Sequence, residues 1–406
     1  MVTTVFRSFP IPVMCSVLDN GLTIITVEKK SKEVVLNIAV GSGSSSDILA
    51  GSAHALEHMV ISDDVNMERR EVTLAGCYVN GETHQTHTLY SVSGSVQQYE
   101  KMFSALATCV SRPRFEKFFF KRELPSVLNE FLADDWDVAQ DIWRASKLYP
   151  KHSNMMRLPL GKASDLRKIR LSNLKHFYDK HYFLKNMVIV ASGMVSHTVL
   201  VDAAKSSMLM KMPSGHRPEI HPLAFTASRD IFSNYKVMYP SVQLYLPVPW
   251  REDERMLSEM AIDLFEADSY GTIYKRLCLD EGLLYGIETA HSGFPECWSS
   301  ITASTAERKL PTIELAMYEE IFNLMNAPIP VDAWTRVYNT WLHMLDTWEE
   351  RTNEEFVEYF VSRWFMQDLN DRWYDIAIKN VTPKRIQSLL RHMWKPERIT
   401  RFRFTK

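Results

Sequence analysis

The sequence predicts an α+β protein built from two halves with the same order of strands and helices. Strand-like runs rich in β-branched residues alternate with long segments whose apolar positions recur at helical spacing. A stretch with three prolines and one glycine, residues 211–222, interrupts this pattern, and a similar order begins again after it. We therefore expect two domains, residues 1–212 and 223–406, joined by a linker at residues 213–222.

The first half begins with a hairpin. Asn20-Gly21 is a turn signal, and the β-branched run of residues 22–27 follows it. Residues 34–40 predict a strand that ends in a loop of Gly and Ser, and a helix follows this loop. The later segments predict a strand, two helices and a short buried strand, in this order: CYVNGETHQTHTLYSVSG, QQYEKMFSALATCV, RFEKFFFKRELPSVLNEFLADDW and NMVIVASGMV.

The second half repeats the beginning of this order. It contains a strand, a helix and a further helix in the segments KVMYPSVQLYLPV, ERMLSEMAIDLF and TIYKRLCLDEG. Two halves of about 200 residues with similar elements indicate an internal duplication.

Composition narrows the class of protein. Of the 406 residues, 46% are hydrophobic and 24% are charged, which is typical of a soluble globular protein. The net charge of −2 gives no global basic field, so we expect no nucleic-acid partner. No run reaches the roughly 18 apolar residues of a membrane helix, so no membrane partner is expected. The N-terminus does not resemble a signal peptide, and the five cysteines are scattered as free thiols would be; both indicate a cytoplasmic protein.

The stretch GSAHALEHMV places His54, Glu57 and His58 at helical positions i, i+3 and i+4. At about 100° per residue, these side chains lie within an arc of roughly 100° on one helix face. Both imidazoles can then bind one metal ion, with the carboxylate close enough to act on a water molecule there. This is the HxxEH pattern, the inverse of HExxH, and zinc suits such ligands.

The alternative is a surface helix with ordinary polar residues. The apolar neighbours of the motif argue against a solvated helix, because they would bury the two histidines; these neighbours are Ala53, Leu56, Met59 and Val60.

Two glutamates are candidates for the third ligand that a catalytic zinc site requires. In the segment RELPSVLNEF, Glu123 and Glu130 are seven residues, or two helical turns, apart and share one helix face. Glu130 is next to the apolar Phe131. An ordinary surface carboxylate is the alternative interpretation of either residue.

Further motifs extend over the chain. They are LDNGL in the first hairpin, VGSGSSSD before the HALEH helix, GCYVNGETHQTHTLY with Asn80, Thr83, Thr88 and Tyr90, and DEGLLYGI in the second half. Together with HALEH and ELPSVLNE, they resemble the motifs of the pitrilysin/insulinase family of zinc peptidases. The resemblance is to its short-chain branch, which includes the mitochondrial and bacterial processing peptidases, and it covers most of residues 15–290.

The resemblance implies one zinc ion per chain. Its ligands would be His54, His58 and Glu130, with Glu57 as the general base and Glu123 as a supporting carboxylate. The implied fold is two homologous domains, each a mixed β-sheet covered by helices on one side, as in half of a clamshell-shaped peptidase. The first domain would carry the zinc, and the second would help to form the substrate chamber.

The implied substrate is an extended peptide. The resemblance places it as an added strand at the sheet edge near Asn80, Gly81 and Thr83, and assigns a further substrate contact to Tyr285. The implied activity is endopeptidase cleavage of peptides, or of leader and precursor peptides, inside a closed chamber. The alternative is a non-catalytic family subunit that binds or scaffolds a partner. Such subunits usually lose part of HxxEH, which is complete here.

Two departures from the family pattern concern the metal site. Pro125 lies between the two candidate glutamates, and a proline inside a helix removes a hydrogen bond. A restart of the helix at Pro125 would shift Glu123 more than Glu130. His84 and His87 add a HxxH near the site, and we interpret them as polar residues of a strand because three ligands are already assigned.

A third departure concerns substrate binding. The family places an arginine seven residues before the tyrosine of its GLxY motif, and both residues contact substrate. In this chain Tyr285 is present, but Cys278 stands at the arginine position. Arg276 is two residues away, and a rotation of about 200° on a helix would turn it elsewhere.

The missing arginine leads to an expectation about partners. The zinc motif is intact, and the chain has half the length of the long-chain relatives. We therefore predict a heterodimer with a homologous subunit that lacks HxxEH and supplies the arginine. A homodimer is the alternative.

Overall fold

The structure is a computed structural model that describes residues 1–7, 9–62, 67–133, 148, 157–218, 230–233, 240–249, 252–266, 268–292, 296–367, 369, 378 and 380–405. The chain forms two compact units. Unit 1 contains residues 1–220 and 349–371, and unit 2 contains residues 221–348 and 372–406. Each unit has one mixed sheet with helices, which confirms the predicted α+β class with two domains.

Unit 1 contains seven described strands. They are β1 Val2–Phe6, β2 Val13–Val17, β3 Thr23–Glu28, β4 Glu33–Val40, β5 Tyr78–Thr83, β6 Thr88–Ser95 and β7 Met187–Gly193. The strand order is β1-β2-β3-β7-β4-β6-β5. The pair β3/β7 is parallel, and the other neighbours are antiparallel. β2 and β3 form the predicted hairpin, and β5 is the edge strand next to the candidate site.

The helices of unit 1 before the linker are α1 Ser52–Ile61, α2 Met67–Leu74, α3 Tyr99–Ser111, α4 Lys117–Ala133, α5 Ala163–Leu166, α6 Leu171–His181 and α7 His197–Ser206. Their apolar residues form one core cluster with alternate residues of the sheet, such as Leu36 and Ile38 of β4 and Ile189 of β7. Successive strand residues point to opposite faces, so this cluster lies on one face of the sheet.

Unit 2 contains five described strands. They are β8 Asp230–Ser233, β9 Ser241–Pro247, β10 Glu288–Ser292, β11 Trp298–Ser304 and β12 Thr400–Phe404. Its helices are α8 Glu252–Glu266, α9 Thr272–Tyr274, α10 Leu310–Asn326, α11 Val331–Asp346 and α13 Pro383–Met393, with a π-helix at Lys275–Asp280. The intervening α12, Asn353–Phe365, belongs to unit 1.

The two sheets share one topology. The order β8-β12-β9-β11-β10 in unit 2 matches β3-β7-β4-β6-β5 in unit 1. The first pair is parallel in both units, and the next three pairs are antiparallel. The match supports the internal duplication that the sequence indicates. It makes α8 the counterpart of α1, because each helix follows the third of these strands.

The sheet of unit 1 is covered on both faces, unlike the implied cover on one side. Val35 and Val190 are buried outside the core cluster of α1 and α3. They lie on the opposite face, against α12. The Asn353 side chain fixes this helix: its amide nitrogen donates to the Glu33 carbonyl at 3.0 Å, and its oxygen accepts from Ser192 Oγ at 2.9 Å.

The compact units therefore differ from the predicted domain boundaries in one segment, because residues 349–371 pack within unit 1. Within the linker, residues 213–218 form neither helix nor strand, and residues 219–222 lie outside the described residues. The end of the predicted helix after Ala133 and residues 236–239 of the predicted strand also lie outside them. In the described part of the chain, no helix has both the length and the apolar character needed to cross a membrane.

Pro125 does not interrupt α4. The helix continues from Lys117 to Ala133 with Pro125 in its interior, so the considered restart does not occur. Val127 is fully buried, and Leu124 and Leu128 pack against the same core cluster, so the segments before and after the proline are held in one register. The ring of Pro125 itself is exposed.

We predict that Pro125→Ala stabilises the protein by about 1–2 kcal/mol, because it restores a helical N–H donor and removes the clash of the ring with the preceding turn. Urea unfolding measures this change. Ser126→Ala, at the next exposed position, is the control and should change stability by less than about 0.5 kcal/mol. A loss of stability in Pro125→Ala would contradict this account of α4.

Candidate metal centre

Several hydrogen bonds hold the N-terminus of α1, the helix that carries HxxEH. Gly51 precedes it with a φ of +95°, a left-handed conformation that favours glycine. The Asp47 carboxylate accepts hydrogen bonds from the backbone N–H groups of Gly51 and Ala53, at 2.6 and 2.7 Å, and from that of Ser52 at 3.2 Å. Burial raises the pKa of Asp47 to about 7, while these three donors oppose the rise. Asp47 thus fixes where α1 starts.

α1 is not a solvated surface helix. All of its residues except His58 are buried, and His58 is partly buried. The imidazoles of His54 and His58 therefore lie in an apolar setting, where polar atoms need partners.

Three candidate ligand atoms lie close together at the edge of this apolar region. His54 Nε2 is 3.2 Å from His58 Nε2 and 3.2 Å from Glu130 Oε2, and His58 Nε2 is 3.4 Å from the same oxygen. Tetrahedral zinc with bonds of about 2.0–2.1 Å separates its ligand atoms by about 3.3 Å. The residues present therefore fit a zinc ion. The Glu130 side chain is 49% exposed, which leaves space for a fourth, non-protein position.

The two other carboxylates of the site have different surroundings. Glu123 Oε2 lies 3.6 Å from His58 Nδ1, on the side of the ring away from the three ligand atoms. Glu57 Oε2 lies 3.9 Å from His54 Nε2, which is too long for an edge of the same tetrahedron. The distances thus favour Glu130 over Glu57 and Glu123 as the third ligand. Within the described residues, His54 Nδ1 is buried and has no hydrogen-bond partner.

The carboxyl groups of Glu57 and Glu130 differ in pKa because their surroundings differ. Desolvation raises the pKa of Glu57 to about 7, although His58 and a hydrogen bond from Thr83 Oγ1 at 3.3 Å oppose the rise. The hydrogen bond with His54 lowers the pKa of Glu130. Glu57 can therefore exchange a proton near neutral pH, whereas the carboxyl of Glu130 remains anionic.

The edge strand β5 packs directly against Glu57. A Cβ atom added to Gly81 would overlap the Glu57 carboxylate, so the glycine leaves the space that this carboxylate occupies. Gly81 and Thr83 face α1, and the alternation of the strand turns Asn80 to the opposite face, where its amide donates to Glu82 at 2.9 Å. In the described sheet, β5 pairs with β6 alone.

His84 and His87 lie in the turn between β5 and β6 rather than within a strand. Their rings stack on each other with centroids 4.4 Å apart, and His87 also stacks on Phe365 of α12. Burial lowers the pKa of both rings. These contacts agree with their interpretation as residues that do not bind the metal.

The predicted substrate contact Tyr285 lies in unit 2 with a fully exposed side chain. Cys278 packs against the core of unit 2. Arg276 is engaged by three carboxylates, those of Glu281, Glu319 and Glu320, at 2.9, 2.8 and 3.2 Å. Cys278, at the family's arginine position, has no guanidinium, and the guanidinium of Arg276 is already bound by these carboxylates.

Sequence reasoning missed several residues of this site. Asp47 stands in the motif VGSGSSSD, and its spacing before the helix could have indicated a cap. Tyr90 and Tyr182 share one buried hydrogen bond between their hydroxyls at 2.6 Å; a motif that carries the resemblance contains Tyr90 but assigns it no role. Ser62 and Arg122, which bind Glu123, have no sequence signal because they meet only through the packing of α1 on α4.

The fold and the site together define an α+β protein of two duplicated units, with a HxxEH helix packed beside an edge strand. The family models agree with this class. The model described as insulinase (peptidase family M16) matches residues 23–149, and the model described as peptidase M16 inactive domain matches residues 168–340. The chain belongs to the M16, or pitrilysin/insulinase, family, which confirms the resemblance seen in its motifs.

Two curated relatives illustrate the range of the family. The cytochrome b-c1 complex subunit 1 of Rattus norvegicus is 25% identical over 225 residues, which are 52% of this chain and 46% of that protein. The probable mitochondrial-processing peptidase subunit beta of Arabidopsis thaliana is 27% identical over 198 residues, or 46% of this chain and 37% of that protein. The match thus spans half or less of the length of these relatives.

The solved structures support the fold. The periplasmic protease PqqL of Escherichia coli superimposes with a TM-score of 0.79 at 16% sequence identity, over 97% of this chain and 47% of the PqqL chain. One half of that protease therefore has the fold of this chain.

Proposed function

We propose that the chain is a zinc metallopeptidase that cleaves extended peptides or precursor peptides. The observation that carries this proposal is the triangle formed by His54, His58 and Glu130, with the buried Glu57 beside it and an edge strand next to Glu57. Zinc, when bound by these three ligands, supplies a Lewis acid for the hydrolysis of an amide.

The residues of the chain supply the proton transfers. Glu57 takes a proton from the attacking water at Oε2 and passes it to the leaving nitrogen of the peptide. Thr83 holds the Glu57 carboxylate in place through its hydroxyl. The low polarity around Glu57, which raises its pKa to about 7, favours such an exchange at neutral pH.

The edge of the sheet supports a peptide substrate. An extended peptide that pairs with β5 would lie about 4.8 Å from it and would run past the carboxylate of Glu57, which lies over Gly81. Main-chain hydrogen bonds of this kind bind many sequences, so Gly81 and Thr83 would contribute through their backbone. We propose the same role for Asn80, whose side chain faces away from Glu57.

A non-catalytic subunit is the second candidate function. The similarity to the cytochrome b-c1 complex subunit 1 and the match of residues 168–340 to the inactive-domain model favour it. The two candidates differ in zinc content and peptide hydrolysis, which the following experiments measure.

Glu57→Gln should lower kcat for a peptide substrate by about 10²–10⁴-fold while zinc stays bound, because glutamine keeps the size of the side chain but cannot accept the proton. Turnover and zinc content are measured on the same preparation. Glu116→Gln, at an exposed position just before α4, is the control. Activity of Glu57→Gln within tenfold of the wild type would remove Glu57 from this role.

Glu130→Ala should strip most of the zinc, because two histidines on one helix leave the site incomplete. Glu123→Ala should weaken zinc binding by about 10–100-fold, as changes beyond the ligands do. Zinc titration against a chelator gives both values, with the exposed Glu116→Ala as the control. The ligand assignment fails if Glu123→Ala strips the metal and Glu130→Ala retains it.

We also propose that the working enzyme is a heterodimer with a homologous subunit that carries an arginine seven residues before its GLxY tyrosine. Adding such a subunit should raise peptidase activity at least about tenfold, because Arg276 is already engaged by three carboxylates. Light scattering reports the assembly. A partner whose arginine is replaced by alanine should bind without this gain. Full activity of the homo-oligomer alone would support a homodimer instead.

A further inference from the structure

Glu123 faces His58 with only one of its two oxygens. Its Oε1 accepts hydrogen bonds from Ser62 Oγ at 2.6 Å and from Arg122 Nη2 and Nε at 2.8 and 3.1 Å. Three donors occupy this oxygen, and Oε2 is left toward His58 Nδ1 at 3.6 Å. The carboxylate therefore has one fixed orientation.

Ser62 connects this carboxylate to the end of α1. It is the first residue after the helix, and its backbone N–H donates to the His58 carbonyl at 3.1 Å. Its hydroxyl donates to Glu123 and accepts from Arg122 Nη2 at 2.7 Å. One residue thus links the backbone of His58 to the carboxylate that faces its ring.

The guanidinium of Arg122 has a further contact within α4. It lies 5.6 Å from the centroid of the Phe119 ring, one helical turn earlier on α4. The Arg122 side chain is partly exposed, whereas that of Glu123 is only 13% exposed. Arg122 thus reaches from the surface to a carboxylate that has little water to orient it.

We propose that Arg122 and Ser62 are positioning residues of the metal centre: they hold Glu123 so that its Oε2 faces Nδ1 of His58 at 3.6 Å, and Nε2 of His58 is thereby presented to the metal. A histidine that donates its second N–H to a carboxylate has its tautomer and ring orientation fixed. His58 needs this support because its ring is the more exposed of the two. The inference rests on the proposed zinc site.

The direction in which zinc affinity changes when Arg122 is replaced distinguishes a positioning role from a purely electrostatic one. A guanidinium near a cation site repels the cation, so by charge alone its removal would strengthen zinc binding. If Arg122 positions Glu123, its removal weakens zinc binding, because the carboxylate becomes free to turn away from His58.

The experiment determines the zinc dissociation constant of the full chain by chelator competition. Arg122→Met should raise it about tenfold, the lower end of the effect of changes beyond the ligands. Ser62→Ala should raise it less, and Arg122→Lys should lie between Arg122→Met and the wild type because lysine keeps the charge but not the forked geometry. Lys121→Gln, the exposed neighbour on α4, is the matched control and should bind zinc as the wild type does.

The double variant tests whether the effect passes through Glu123. In a Glu123→Gln background, Arg122→Met should change the dissociation constant by less than about twofold, because the oriented carboxylate is already lost. Circular dichroism of the zinc-free variants checks that each is folded. If Arg122→Met is not folded, the zinc dissociation constant of Arg122→Lys is compared with that of the wild type instead.

Unchanged or tighter zinc binding by Arg122→Met would overturn the inference, as would an equal loss in the Glu123→Gln background. Either result leaves the proposed zinc peptidase standing, since the wild type still binds zinc. A wild-type chain that binds no zinc would instead overturn the proposed function together with this inference.

Discussion

The structure of the candidate site depends on the burial of polar side chains on one short helix. α1 places two imidazoles and a carboxylate among apolar residues, where each polar atom loses water and must find a partner within the protein or a ligand. The partners come from two directions: Glu130 and Glu123 from α4, and Thr83 from β5. Asp47 sets the start of α1 and therefore the direction in which all three side chains point.

The two units share one topology but carry different side chains at equivalent positions. In unit 2, α8 occupies the place of α1, and α11 occupies that of α4. These helices are linked by a hydrogen bond from Trp341 Nε1 to the partly buried Asp263, at 2.7 Å. One polar group on α8 is thus satisfied by one donor on α11. In unit 1 the equivalent helices bring together three candidate ligand atoms, so the geometry of the candidate site is a property of the side chains and not of the fold.

Local periodicity explains what the sequence could reveal. The HxxEH spacing predicts one shared helix face, and the spacing of seven predicts that Glu123 and Glu130 share another. It does not tell which glutamate reaches the imidazoles, because that depends on the packing of α4 on α1. Pro125 is a similar case: its local penalty is real, but the packing of Leu124, Val127 and Leu128 on the core cluster keeps the helix continuous. Contacts between distant segments, such as Arg122 with Ser62 or α12 with β4, leave no periodic signal.

The position of α12 on the sheet of unit 1 has a consequence for how the chain acquires its structure. The Asn353 side chain bonds the Glu33 carbonyl, 320 residues earlier in the sequence. During synthesis, β4 and β7 emerge long before the helix that covers one of their faces, and until then buried residues such as Val35 and Val190 remain in water. Unit 1 is therefore completed late on the ribosome, and a chain ended at the linker would lack the helix that covers one face of its sheet.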